Sequence, residues 1–167
     1  LEAWAEASDG PFARAVGDLA AEHGLAIHYG YPERSGDAIC NAAQCIGPDR
    51  SRLGGHRKLI LPPGFEADHF TPGAGCTLFT YRGLRIATLI CFDIEFPETA
   101  RHAAVQGADL LLVPTALGSQ WGWVGRTMVP TRGFENGIFL AYANHTGSEN
   151  GMSFLGESFV STPDGRE

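Results

Sequence analysis

Apart from Arg85 and Thr88, residues 84–91 form an unbroken apolar run, Leu84-Arg85-Ile86-Ala87-Thr88-Leu89-Ile90-Cys91, entered through the turn Tyr81-Arg82-Gly83. A short apolar run bounded by turn formers reads as a strand buried on both faces. Such a strand cannot belong to an antiparallel sheet with one face in water. It requires layers on both sides, which is the situation of strands inside a layered α/β architecture.

The end of that strand is as informative as its interior. Cys91 closes the run and is followed by Phe92-Asp93-Ile94-Glu95-Phe96-Pro97-Glu98, a turn and then a helix with Pro97 and Glu98 in its first turn. A thiol at a strand tip stands clear of the sheet, beside amides whose hydrogens point at whatever binds there. The position suits a nucleophile, which needs a cation, a base and an oxyanion site around it.

The chain of 167 residues is expected to be one domain, long enough to bury about 70 % of its unfolded surface. A net charge of -7 argues against nucleic acid or an anionic membrane as partner. No apolar run approaches the roughly 20 residues that span a bilayer. Cys40, Cys45, Cys76 and Cys91 show no CxxC and no paired spacing with histidines, so neither a zinc site nor a disulfide framework is indicated. A reducing cytoplasm is the expected location. The chain has no initiator Met and stops at Pro163-Asp164-Gly165-Arg166-Glu167, and it reads as an internal piece of a larger domain.

Along the chain, Pro11 opens a helix with Asp9 as cap, an apolar stripe of Phe12, Val16, Leu19 and Ala20, and Gly24 as its end. Residues 25–31 and 39–46 read as strands joined by a polar turn at 32–37, and a third strand is expected over 56–61. Residues 62–75 form a loop too long to be idle in a compact domain. A helix over 97–106, a short strand over 109–113, a helical stretch over 121–136 interrupted or delayed by Pro130, and strands over 138–144 and 158–161 complete the pattern.

Lys58 lies in His56-Arg57-Lys58-Leu59-Ile60-Leu61, where strand alternation places it with His56 and Ile60. A lysine just ahead of Leu-Ile-Leu is expected to be partly buried, and a buried ammonium needs a carboxylate partner. Glu66, eight residues on in the loop, can fold back to supply one. A thiol of ordinary pKa, about 8.5, is only a few per cent ionised at neutral pH, and both a nearby lysine and a helix start favour its anion.

These residues occur within segments that resemble the nitrilase superfamily of carbon–nitrogen hydrolases. The segments are H-R-K-L-I-L-P, the following F-E, F-T-P-G, L-I-C-F-D-I-E-F-P-E-T-A-R, G-A-D-L-L-L-V-P-T-A, R-G-F-E-N-G-I-F-L-A-Y-A-N-H-T-G and G-E-S-F-V-S-T-P-D-G, spanning residues 56–165. The resemblance implies a single, partial carbon–nitrogen hydrolase domain over 1–167 with a four-layer αββα sandwich, incomplete at both ends. It implies Cys91 as nucleophile, Lys58 as catalytic lysine and Glu66 as the further glutamate beside the lysine. In the implied chemistry the thiolate attacks an amide carbonyl, Lys58 and the Phe92 N–H hold the oxyanion, and water cleaves the thioester. No metal or organic cofactor is implied, and homo-oligomers built through outer helices are. The family's general-base glutamate follows an early apolar strand; of the acids before Lys58 (Glu2, Glu6, Asp9, Asp18, Glu22, Glu33, Asp37 and Asp49) none does, so the base is expected outside this span.

The residues after Cys91 and Val129-Pro130-Thr131-Arg132 resemble the amide-hydrolysing branch, which implies a small aliphatic or amino-acid-type carboxamide. Substrate contacts are expected from Phe92, Thr115, Ala116 and Trp121, with Trp123 as a further lining residue. Glu135 and Asn136 are expected to make structural contacts, Glu95 and Glu98 to charge a helix start, and Cys40, Cys45 and Cys76 to lie in the core. Two rivals remain: a non-catalytic member of the same fold used for binding or assembly, and an unrelated thiol hydrolase pairing Cys91 with a histidine such as His102 or His145. Carbamoyl or nitrile substrates stand beside amides.

Overall fold

The computed structural model describes residues 1–166. Its strands fall into two main sheets. In the first, β1 (Ile27–Ser35), β2 (Ala38–Ile46) and β3 (Arg52–Arg57) form an antiparallel meander. In the second, the order is β10-β7-β6-β5-β4: β5 (Leu84–Thr88), β6 (Leu110–Thr115) and β7 (Phe139–Asn144) are parallel, with β4 (Leu78–Tyr81) and β10 (Phe159–Ser161) antiparallel at the edges. A small hairpin of β8 (Thr146–Glu149) and β9 (Met152–Leu155) follows β7.

Each sheet carries helices on one face and meets the other sheet on its opposite face. Helix α1 (Pro11–His23) sets Ala13 and Val16 against Ile46, with Ile27 and Tyr29 beside them. Helices α3 (Pro97–Val105) and α4 (Val129–Asn136) cover the five-stranded sheet through Ala100, Ala103 and Val129 over Ala87, Leu111 and Leu140. Between the sheets, His28 on β1 bonds Thr88 on β5 at 3.0 Å. A Cβ on Gly54 of β3 would lie 2.3 Å from the Phe79 ring of β4, so the sheets approach closely enough there to require glycine. The result is the helix–sheet–sheet–helix sandwich that the resemblance implies, and positions 86–90 are buried, as a strand inside a layered α/β architecture should be.

Several boundaries differ from the sequence reading. Strands β1 and β2 run on to Ser35 and from Ala38, leaving only Gly36 and Asp37 as the turn. Glu33 is therefore a buried strand residue, and it is held there by two bonds from Arg57, at 2.8 and 3.1 Å. The third strand ends at Arg57, one residue before Lys58, and strand β5 ends at Thr88, short of Cys91. Helix α1 is capped not by Asp9 but by Glu6, whose Oε2 accepts the Phe12 N–H at 2.8 Å. Phe12 and Leu19 are half exposed, and the buried stripe is Ala13, Val16, Gly17 and Ala20, because the small residues let α1 sit close to its sheet. The 62–75 loop contains a short helix, α2 (Phe65–His69).

The stretch over 121–136 begins with a 3-10 turn at Ser119–Trp121, passes through a π turn at Val124–Met128, whose Val124 carbonyl takes the Val129 N–H, and becomes α-helical at Val129 with Pro130 in its first turn. The β8–β9 hairpin has no counterpart in the sequence reading. Cys40 and Cys45 are buried, whereas Cys76 is only partly so, and all four cysteines are free. No helix among the described residues is long and apolar enough to cross a membrane.

Candidate active site

The three parallel strands β5, β6 and β7 deliver their C-terminal ends to one side of the sandwich, and the inner sheet delivers the exit of β3 opposite them. Parallel sheets bind ligands at that end, where chain leaves the strands and side chains and amides are free to converge. A cavity of about 540 Å³ opens there. Ile90, Cys91, Pro114, Thr115, Ala116, Ala143 and His145 contribute from the ends of the parallel strands, and Gly30, Asn41 and Lys58 from the facing sheet. Glu66 on α2, and Glu149 and Phe154 on the β8–β9 hairpin, complete the wall.

Cys91 starts a 3-10 turn (Cys91–Glu95) with φ at +47°, a conformation that costs a non-glycine residue of order 1–3 kcal/mol. The strain turns the side chain off the strand direction and into the cavity, as a sharp strand-to-helix elbow does for other nucleophiles. Burial pushes the thiol above its ordinary range; Lys58 and the Ala116 backbone pull it down, and Glu66 and Glu95 push it up again. The expectation that lysine and the following turn favour the anion is thus outweighed by desolvation. The resting sulfur is a protonated thiol at neutral pH, and chemistry at it needs a base.

Lys58 is 1 % exposed, among the most buried charged side chains of the protein. Its Nζ donates to both oxygens of Glu66 at 2.8 Å. Asn41 Nδ2 donates to the Glu66 Oε2 at 3.0 Å, fixing the carboxylate from a third direction. The buried amine is thereby given the carboxylate partner that its desolvated place requires, and it lines the cavity beside Cys91.

The residue that joins these parts is Asp93, fully buried and acceptor to four groups. Its Oδ1 takes the N–H of Leu59 at 3.0 Å and of Ile60 at 2.9 Å; its Oδ2 takes the N–H of Ile90 at 3.0 Å and His56 Nε2 at 3.2 Å. The chain on both sides of the site, just after Lys58 and just before Cys91, hangs on one carboxylate. A carboxylate in such a setting is worth far more than a surface acid because every donor it releases would be stranded without water.

Of the residues the sequence singled out, Cys91, Lys58, Glu66, Thr115 and Ala116 line the same cavity. Phe92 and Trp121 do not. The Phe92 ring packs edge-to-face on Phe96 at 5.1 Å, leaving only its backbone near the thiol. Trp121 lies in its 3-10 turn 57 % exposed, and Trp123 is likewise exposed, because this segment leaves the strand end along the surface. None of Glu2, Glu6, Asp9, Asp18, Glu22, Glu33, Asp37 and Asp49 lines the cavity. Glu135 and Asn136 have the expected structural roles, contacting Arg132. Glu98 falls in the first turn of α3, whereas Glu95 lies half-buried near Lys58 and Cys91, its pKa raised by burial and drawn back by Lys58.

His145, named in the sequence only as a possible histidine partner of Cys91, lines the cavity, whereas Asn41, Asp93, Glu149 and Phe154 were not singled out. Asp93 carried a signal, an acid between Phe92 and Ile94 two residues beyond a buried strand tip. The others carried none, being polar or aromatic residues whose partners are distant in sequence.

A strained cysteine beyond a parallel strand, sharing one pocket with a buried lysine–glutamate pair, is an arrangement suited to thiol chemistry on an α/β frame. The family described as carbon-nitrogen hydrolase matches residues 2–166, and the chain belongs to it. A hydrolase of Pseudomonas protegens described by its position in the pqqF 5' region is 42 % identical over 98 % of this chain and 58 % of its own length. An N-carbamoylputrescine amidase of Solanum tuberosum is 34 % identical over 89 % of this chain and 56 % of its own. The crystal structure of an amidase from Nesterenkonia sp. superposes with a TM-score of 0.87 at 35 % identity, covering 92 % of this chain and 59 % of that one. A variant of that amidase with a glutamate changed to glutamine carries acrylamide on its active-site cysteine through Michael addition, and another variant binds butyramide. This chain spans little more than half the length of these relatives.

Proposed function

We propose that the whole protein hydrolyses a small carboxamide to the acid and ammonia through a thioester on Cys91, with this span supplying nucleophile, lysine and loop glutamate. The observation that carries the reading is the shared cavity of Cys91 and Lys58, with Lys58 Nζ held by both oxygens of Glu66. The sulfur, once deprotonated, bonds to the carbonyl carbon, and the carbonyl electron pair becomes an oxyanion facing Lys58 Nζ and the Phe92 N–H. Its collapse expels the amine with a proton, and water then cleaves the C–S bond to release acid and restore the thiol. Glu66 positions the lysine instead of acting as the thiol's base, because both its oxygens are committed to Lys58 and one also to Asn41.

Amide substrates are favoured by the butyramide complex of the Nesterenkonia relative. Carbamoyl substrates form the second reading, favoured by the potato relative. The whole protein is further proposed to self-associate through its outer helices α3 and α4, where Val105 and Phe134 stand exposed.

Alkylation by acrylamide, followed by peptide mass spectrometry, tests the nucleophile. Cys91 is expected to react far ahead of Cys76, and Lys58→Met should slow it by about 10²-fold, the scale of losing one oxyanion or charge partner. Because burial raises the thiol pKa, the rate should follow the thiolate fraction upward and still be climbing at pH 9. An inert Cys91 in a folded chain would favour the binding or assembly role. Indifference to Lys58→Met combined with dependence on His145 would favour a cysteine–histidine pair.

A further inference from the structure

The charges around the cavity do not balance. Lys58 is the one lysine or arginine lining it among the described residues, and Glu66 already neutralises that ammonium through both oxygens. Glu95 adds a second carboxylate close enough to act on both Lys58 and the thiol. Glu149 adds a third at the mouth, on the last residue of β8. Its one salt-bridge partner among the described residues is His145 Nε2, 3.9 Å away, which is too long for a hydrogen bond and carries charge only when protonated. The His145 and Phe154 rings meet in a T-shape at 4.6 Å, so an aromatic ring and a carboxylate with only a distant histidine partner share one lip of the pocket. An aromatic ring beside an unpaired carboxylate at a cavity mouth recognises an alkylammonium, through cation–π and Coulomb attraction together. A carboxylate-bearing tail would meet no lysine or arginine at this lip among the described residues.

We propose that this cavity selects amides whose tail ends in an ammonium group and discriminates against those ending in a carboxylate, with Glu149 as the residue that reads the charge. The inference rests on the amidase reading of Cys91 and narrows its substrate class. The ammonium lies against Glu149 and Phe154 while the scissile carbonyl reaches Cys91 below.

Two methanethiosulfonates of similar size and opposite charge, 2-(trimethylammonium)ethyl and 2-sulfonatoethyl, test it on this chain. Each is attacked at its sulfenyl sulfur by the Cys91 thiolate, forming a disulfide and releasing methanesulfinate. Rates at the peptide containing residue 91 are divided by those for a free small thiol, with the neutral methyl reagent run alongside. The cation-to-anion ratio is expected to exceed that of the free thiol by about 10-fold in low salt and to shrink toward it near 1 M salt, where charges screen within about 3 Å. Glu149→Gln should cut the ratio about threefold and Glu149→Lys should reverse it, whereas Glu22→Gln, the same charge change on α1, should leave it alone. A ratio equal to that of the free thiol, or one that Glu149→Gln does not move, overturns the charge selection while the nucleophile reading stands. If not even the neutral reagent reaches Cys91, the nucleophile reading falls and takes the inference with it.

Discussion

The floor and the rim of the cavity are built by opposite means. The floor is made where buried strands end, and its polar groups are almost wholly enclosed: Lys58, His56 and Asp93 have side chains at or near zero exposure. The donors aimed at Asp93 come from two stretches of chain, residues 56–60 and Ile90, so the carboxylate is a knot that ties the end of β3 and the chain just after it to the chain between β5 and Cys91. The rim is a four-residue-per-strand hairpin whose first strand is exposed at every position. Its cross-strand polar contact, Ser148 Oγ to Ser153 Oγ at 3.0 Å, is open to water. A bond that water can replace holds little, and a bond that nothing can replace holds a great deal. Reactivity is therefore placed where geometry cannot drift, and recognition where it can be altered without disturbing the fold.

The sharpest way to break this contrast is at the knot itself. Asp93→Ala would strand the amides of Leu59, Ile60 and Ile90 together with His56, and should lower the unfolding free energy by about 3–5 kcal/mol in urea titrations followed by circular dichroism. A loss below 1 kcal/mol would show that the floor is no more firmly held than the rim.

Next in size comes acidification. His28, between the sheets and bonded to Thr88, has its pKa lowered to about 4, first by burial and then by the neighbouring His56. Below about pH 6.5 the unfolded chain takes up a proton that the folded chain refuses until near pH 4. Stability should therefore fall by on the order of 3 kcal/mol as pH drops across that window, and the slope should flatten in His28→Gln. A pH-independent stability between 7 and 4 would mean that the space between the sheets is not dry.

The smallest effect belongs to the rim. Ser148→Ala should change the unfolding free energy by less than about 0.5 kcal/mol. A larger loss would place the hairpin with the floor and make Glu149 a more rigid reader of charge than its exposure suggests.

The sequence carried the sandwich and the pieces of its floor for identifiable reasons. Residues 84–91 could be buried only inside layers, and Cys91 at the end of that run had to emerge at a strand tip. The Lys58–Glu66 pairing was only suggested by the residues, a lysine next to Leu-Ile-Leu with an acid eight residues on in the loop, and it was the resemblance to the nitrilase superfamily that selected Glu66. Asp93 was not legible, since its four donors come from 3 to 37 positions away and only the fold brings them together. The pull of Lys58 on the thiol, expected from the sequence, is present, but the depth of burial that outweighs it is not visible in sequence motifs.

What the residues alone decided was local or periodic: which runs are buried, where the chain must turn, and which side chain stands at the tip of an inner strand. Apolar periodicity and turn chemistry act over a few neighbouring residues, so they can be read in order. The tertiary structure decided which polar groups meet, as when Trp121 turned away from the cavity and Glu149, nearly sixty positions beyond Cys91, came to its mouth. Electrostatic and hydrogen-bond energies depend on distance and solvent exposure in space, and neither is a function of separation along the chain.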